Sequence, residues 1–189
     1  MQTPTELANF GLLQIGAGQI QSIDGTDAAS SLCRTYYRDA IRHVLSINQW
    51  TAFTRRKALV LESTTTQDGW SYKYQLPPPA EMVFLFRVLD VNNSEWDFAL
   101  EGGYLYTNCV NAIGKYIYYT EEIPRFESHM AQAMGCYLGM LLAPQLAGKA
   151  DQFARQNVEI RYKQAIDRAT YNDDRDSTMI KFPRTWGQK

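Results

Sequence analysis

Trp70-Ser71-Tyr72-Lys73-Tyr74-Gln75-Leu76 alternates large apolar with polar residues along its whole length, and that alternation decides how the chain is read. Successive side chains of a strand point to opposite faces, so this period marks a half-buried β-strand and excludes a helix. Lys57 to Glu62 alternates in the same way. With Gln67-Asp68-Gly69 as a turn signal between the two runs, a β-hairpin is expected. Pro77, Pro78 and Pro79 stop its second strand, because proline has no N–H to give to a ladder.

Strand signals continue toward the C-terminus. Met82 to Val91 is rich in β-branched and aromatic residues, Trp96 to Leu100 alternates, Tyr104 to Thr107 follows the Gly102-Gly103 turn, and Lys115 to Thr120 adds another run. About six strands follow one another with no helical stretch between them, which predicts a single antiparallel sheet.

Helical spacing flanks this block on both sides. Thr3-Pro4-Thr5-Glu6 is a helix start in which Thr3 caps, Pro4 suits the first helical position and Glu6 completes a capping box. Leu7, Phe10, Leu13 and Leu12 give that helix its apolar face, and Gly16 and Gly18 end it. Thr26-Asp27 starts a second helix over about 27–48, with Leu32, Tyr36, Ala40, Val44 and Ile47 on the apolar side. Trp50 and Phe53 anchor its end. After Pro124, Phe126, Met130, Met134, Tyr137 and Leu141 mark a third helix closed by Pro144 and Gly148, whose small residues Ala131, Ala133, Gly135 and Gly139 permit close approach. Ala154, Val158, Ala165 and Ala169 mark a fourth, over 151–171. The expected fold is therefore α+β. A four-helix bundle is formed by residues 1–54 and 122–171, an antiparallel β subdomain is inserted at 55–121, and an extended C-terminal tail covers 172–189.

Composition excludes several classes of function. The net charge of −1 gives no bulk attraction for nucleic acid or an anionic membrane, so any such contact needs a local patch. No apolar run reaches the length of a membrane span, and no basic-then-apolar leader opens the chain, so a soluble, unexported protein is expected. Cys33, Cys109 and Cys136 are odd in number and widely spaced, which argues for reduced thiols and against zinc. With 12 Tyr, 8 Phe and 4 Trp, the chain is rich in side chains favoured at interfaces.

No motif carries chemistry. Gly16-Ala17-Gly18 lacks the third glycine of a dinucleotide loop, since position 21 is Gln, and reads as a helix terminator. His43 and His129 have no second histidine or carboxylate at metal-ligand spacing. Pairing of His43 with Cys136 in space would be needed for a thiol nucleophile, and a buried structural thiol is the favoured reading. Asp173, Asp174 and Asp176 lack the glycine and terminal glutamate of a calcium loop, and Glu121-Glu122 suits a helix dipole. Neither a cofactor nor a metal is expected. Arg55-Arg56-Lys57 is the densest basic cluster and reads as a solvated hinge rather than a phosphate contact.

The order of Leu12-Leu13-Gln14-Ile15-Gly16, Ile20-Gln21-Ser22-Ile23, Arg42-His43-Val44-Leu45, Trp50, Phe53, Arg56 and Leu59 resembles the tail tubular protein A family, the head-to-tail adaptors of short-tailed bacteriophages. Tyr72 to Pro77, Glu101 to Asn108 and Tyr116-Ile117-Tyr118-Tyr119 extend the likeness over most of the chain, the C-terminal tail matching least. The resemblance implies a non-enzymatic virion protein at the head-tail junction. It would be a homo-oligomeric, twelve-subunit ring between the portal protein and the tail nozzle protein, through which DNA passes without specific binding. On that reading the β subdomain, through Trp70, Tyr72, Trp96 and Tyr104, is expected to face the nozzle. Phe182, Pro183 and Trp186 are the expected portal anchors, since a few buried aromatics usually dominate an interface. The alternative is a carbohydrate-binding or glycan-hydrolysing tail component, with Asp90, Glu95, Asp97 and Glu101 as its carboxylates.

Overall fold

The computed structural model of the chain describes residues 3–64, 69–146 and 152–179, and within the last stretch the side chains of 156–174. Two compact units divide it, Met1–Val44 with Glu121–Lys189 and Leu45–Thr120. The elements are α1 (Pro4–Gln14), α2 (Ala28–Ile47), β1 (Thr54–Ala58), β2 (Val60–Thr64), β3 (Tyr72–Gln75), β4 (Met82–Leu89), β5 (Glu95–Trp96), β6 (Phe98–Glu101), β7 (Tyr104–Thr107), β8 (Ile113–Tyr118), α3 (Ser128–Leu146) and α4 (Gln152–Met179).

In the helical unit the starts follow their caps. Thr3 Oγ1 accepts from the Glu6 N–H at 3.1 Å, and Asp27 Oδ1 accepts from the Ser30 N–H at 2.9 Å. Gly16 (φ +69°) ends α1 in a left-handed turn: its N–H bonds Leu13 O, and the Ala17 N–H bonds Leu12 O. That is the paired closure of a Schellman motif, which satisfies carbonyls the helix leaves open.

The buried faces of α1 and α2 are turned from those expected. Leu7, Ala8, Gly11 and Leu12 are buried on α1 while Leu13 stands 60% exposed. On α2 the burial falls on Cys33, Tyr37, Ala40, Ile41, Val44 and Leu45, and Ile47 is exposed. On α1 a small residue explains the rotation: Gly11 adds little apolar weight to a sequence pattern, yet it sits where α3 comes close. Helix α3 runs through Pro144 to Leu146, so proline alone does not close it, and Gly148 lies outside the described residues. Proline has no N–H to give to Met140 O, so the helix forfeits one backbone bond there and continues for only two residues.

A four-helix bundle with an inserted subdomain is not formed. The fold is mixed α+β, with four α-helices and two four-stranded antiparallel sheets among the described residues. Close packing joins α1 to α3 and α3 to α4, with a smaller contact between α1 and α4. Helix α3 is accordingly buried on several faces, through Met130, Ala133, Met134, Cys136, Leu138 and Leu142. Helix α2 meets α3 through the tips of long side chains instead. Tyr137 stacks on His43 with ring centroids 3.8 Å apart, and Gln145 Nε2 donates to Tyr36 Oη at 3.1 Å. Helix α4 continues to Met179, so residues 172–179 are helical rather than part of an extended tail. Asp173 is buried on the stripe of Val158, Ala165 and Ala169, a helical continuation hidden in the sequence by its polar neighbours.

Nor is the β block one sheet. Its two sheets have the orders β1-β8-β4-β5 and β2-β3-β7-β6. Leu59 alone separates β1 from β2, and Asp97 alone separates β5 from β6. Each pair is one length of chain that leaves the edge of one sheet and enters the edge of the other, so the hydrogen-bonded order runs in a circle. Such corners are how a small β unit turns a sheet back on itself. Both are pinned: the Leu59 N–H donates to Ala112 O at 2.9 Å, and Thr107 Oγ1 donates to Asp97 O at 2.8 Å. The core of this unit is Trp50, Phe53, Tyr74, Leu85, Val88, Leu105, Tyr116 and Ile117, all buried.

The expected hairpin survives only in part. β2 pairs with β3, but Lys57 and Ala58 belong to β1, which pairs with β8. The Gly102-Gly103 turn has φ of +58° and +84°, the two left-handed positions of a type I′ hairpin turn, and it joins β6 to β7 as expected.

Candidate functional site: the outer face of the tyrosine sheet

Register assigns the faces of the β2-β3-β7-β6 sheet. Leu61, Tyr74, Leu105 and Leu100 oppose one another across it, and Tyr74 and Leu105 are buried, so this row faces inward. One step along, Val60, Gln75, Tyr104 and Glu101 form an outward row; Lys73, Tyr106 and Ala99 form a second. Residues two apart on one strand share a face, so Tyr104 and Tyr106 stand side by side there, each partly exposed. Lys73 Nζ lies 3.8 Å from the centroid of the Tyr104 ring, fixing its plane, and Val60 beside them is 63% exposed. A face of tyrosines, an aliphatic edge and a single cation resembles the make-up of a protein interface core.

The four aromatics expected to share one surface do not converge. Tyr104 is on the outer face. Tyr72 opposes Thr107 on the inward side, its ring 6.4 Å from that of Tyr74. Trp70 precedes β3 and is half-buried. Trp96 lies in the other sheet opposite Val88, with its indole N–H donating to Asp90 Oδ2 at 3.3 Å. Tyr106 was not singled out in the sequence, although its two-residue offset from Tyr104 placed it on the same face. Phe182, Pro183 and Trp186 lie outside the described residues.

The carboxylates proposed for glycan hydrolysis are committed elsewhere or spread along the strand. Asp90 Oδ1 accepts from the N–H groups of Asn92 and Ser94 at 2.8 and 2.9 Å, and these bonds hold its carboxyl below the usual range. Glu95 lies 3.7 Å from Arg87, Asp97 occupies the corner between sheets and Glu101 the far end of β6. A general acid for glycoside cleavage needs a raised pKa. Asp27, Glu81 and Asp90 are instead shifted down.

The nucleophile candidate is likewise occupied. His43 is stacked on Tyr137, with Nε2 2.9 Å from Tyr162 Oη, and burial lowers its pKa. Burial pushes the Cys136 thiol up to about 11, which keeps it protonated near neutrality. All three cysteines are buried and unpaired. Among the described residues no group of three or more His, Cys, Asp or Glu could hold a metal ion, and no helix is long and apolar enough to cross a membrane. Gly16-Ala17-Gly18 lines a cavity of about 800 Å³ with Ser22 and Asp27, but Asp27 is spent on Ser30, whose hydroxyl it holds at 2.6 Å.

The Arg55-Arg56-Lys57 cluster is not a hinge. It lies within β1, where alternation divides it. The Arg55 guanidinium sits 3.8 Å over the Tyr118 ring, and Lys57 Nζ pairs with Glu81 at 2.8 Å, leaving Arg56 alone on the opposite face. No protein-family model matches the chain, and no curated protein matches it.

Proposed function

We propose that the chain is a structural subunit of a head-to-tail adaptor, a homo-oligomeric ring that joins a phage portal to its tail nozzle and lets DNA pass. The observation that carries this reading is the outward face of the β2-β3-β7-β6 sheet, where Tyr104 and Tyr106 are presented side by side with Lys73 and Val60. Tyrosine gives large contact area for little lost side-chain freedom, so a paired display on a rigid sheet suits a permanent partner better than a substrate. The motif likeness noted above supplies the partners: the portal protein, the nozzle protein and further copies of this chain. Helices α1 and α3, joined through close glycine contacts, with α4 packed on α3, provide a stiff body for the ring, and the tyrosine sheet meets the nozzle. The C-terminal residues, with Phe182, Pro183 and Trp186, reach the portal.

The test is to incubate the purified chain with portal-bearing heads and to image them by electron microscopy. An added ring with the wild-type chain is expected. Heads that stay unchanged at saturating protein would reject the adaptor reading.

A further inference from the structure

On the sheet β1-β8-β4-β5, Arg56 opposes Lys115, and Lys115 opposes Arg87. Three cations from three strands thus stand in one row on one face. The third is there because of a β-bulge: Leu85 opposes Tyr116, and the register then skips Phe86 to set Arg87 against Lys115. Without the extra residue Phe86 would face Lys115. Bulges re-aim side chains in this way, and they recur beside functional sites.

Such a row works against folding, because like charges directly opposed across strands repel. Burial and the neighbouring guanidinium groups of Arg87 and Arg56 push the Lys115 pKa down. Internal compensation is incomplete. Arg87 Nη1 is 3.7 Å from Glu95, an exposed pair whose carboxylate also favours the Lys115 ammonium, Lys115 Nζ lies 5.3 Å from the centroid of the Phe86 ring, and Arg56 Nη1 donates to the neutral side chain of Asn93 at 2.7 Å. Asn93, at φ +62°, sits in the tight Asp90–Ser94 turn, so Arg56 is steered rather than discharged.

We infer that Arg56, Lys115 and Arg87 form a binding site for the phosphate backbone of nucleic acid. Adjacent strands are about 4.8 Å apart, so the row spans roughly 10 Å across a sheet face, a straight line of charge suited to a linear polyanion. Arginine forks at both ends match phosphate oxygens in pairs. Contacts of this kind read no bases, so binding is sequence-independent. The row lies in the other sheet from Tyr104 and Tyr106, which makes DNA binding and ring formation separable.

Fluorescence polarisation with a labelled duplex of arbitrary sequence tests this, run over a salt series, with poly-L-glutamate as competitor. Weak binding is expected, with a slope of log K against log salt between about −2 and −3, and a fall of about 0.9 in its magnitude for Arg56→Gln or Lys115→Gln. Both variants should unfold at the wild-type denaturant concentration or higher, since they relieve repulsion. Tyr104→Ser should bind DNA as the wild type does even where ring formation fails. Unchanged salt slopes in the two row variants would overturn the assignment. So would a loss of stability in them, which marks a structural role, or poly-L-glutamate displacing DNA at equal charge, which marks an acidic protein partner.

Discussion

Gly139→Ala puts the close crossing of α1 and α3 to a quantitative test. A Cβ at Gly139 would lie 2.7 Å from Gly11 O, and one at Gly11 would lie 2.7 Å from Gly135 O. The obstacle in each case is backbone, which no rotamer change can move aside. Alanine in a helix interior is otherwise favoured over glycine by about 0.5–1 kcal/mol, so a neutral site would gain stability. Overpacking a tight contact costs about 1–3 kcal/mol, and against backbone the upper part of that range applies. The net expectation is a loss of about 1–2 kcal/mol for either Gly139→Ala or Gly11→Ala. In urea, where such domains show slopes of about 1–3 kcal/mol per molar, the helical transition followed by circular dichroism should move down by roughly 1 M. The double variant should lose less than the sum of the two, because helices already pushed apart accommodate the second methyl. A midpoint that stays or rises in both single variants would refute the close crossing.

Three further outcomes follow from the same geometry. Tyr74 Oη donates to Cys109 O at 2.9 Å inside the β core, so Tyr74→Phe should cost about 1–3 kcal/mol by stranding a buried carbonyl, measured by denaturation of the β unit through tryptophan fluorescence. The Ser30 hydroxyl and N–H hold the Asp27 carboxyl below its ordinary value, so its contribution is present above the normal carboxylate pKa of about 3.9 and is lost as pH falls through the lower folded value. Asp27→Asn should therefore flatten that part of the acid limb in a pH series of stability, and an unchanged limb would contradict it. Cys136, with its thiol near 11, should resist iodoacetamide in the folded chain at neutral pH and react on unfolding, as mass spectrometry of the alkylated peptide would show; rapid labelling in the native state would count against its burial.

Local signals in the sequence were read well where one residue type has one physical role. Thr3 with Pro4 and Asp27 marked helix starts, and Gly102-Gly103 marked the turn that places Tyr104–Thr107 in a strand. Longer-range features were less legible. Ala58 to Leu61 is an unbroken apolar run and Trp96-Asp97-Phe98 alternates without a break, so nothing local shows that the chain changes sheets at Leu59 and Asp97. The pairing of β1 with β8 joins residues about sixty apart, and it is fixed by the closed ladder rather than by a turn. Arg56, Lys115 and Arg87 are far apart in the chain, and the bulge at Phe86 that aligns them leaves no mark in the pattern. The strand signal over Tyr104 to Thr107 holds, and it puts Tyr104 on the outer face of its sheet. Trp96 and Tyr72 were grouped with it because aromatic content alone does not say which face a ring occupies.

Hydroxyl-radical footprinting of Tyr104 and Tyr106, in the free chain and in assembled head-tail particles, reaches the interface claim most directly. Both rings are expected to be oxidised readily in the free chain and to lose most of that reactivity on assembly. Equal oxidation in the two states would show that the tyrosine face meets no partner.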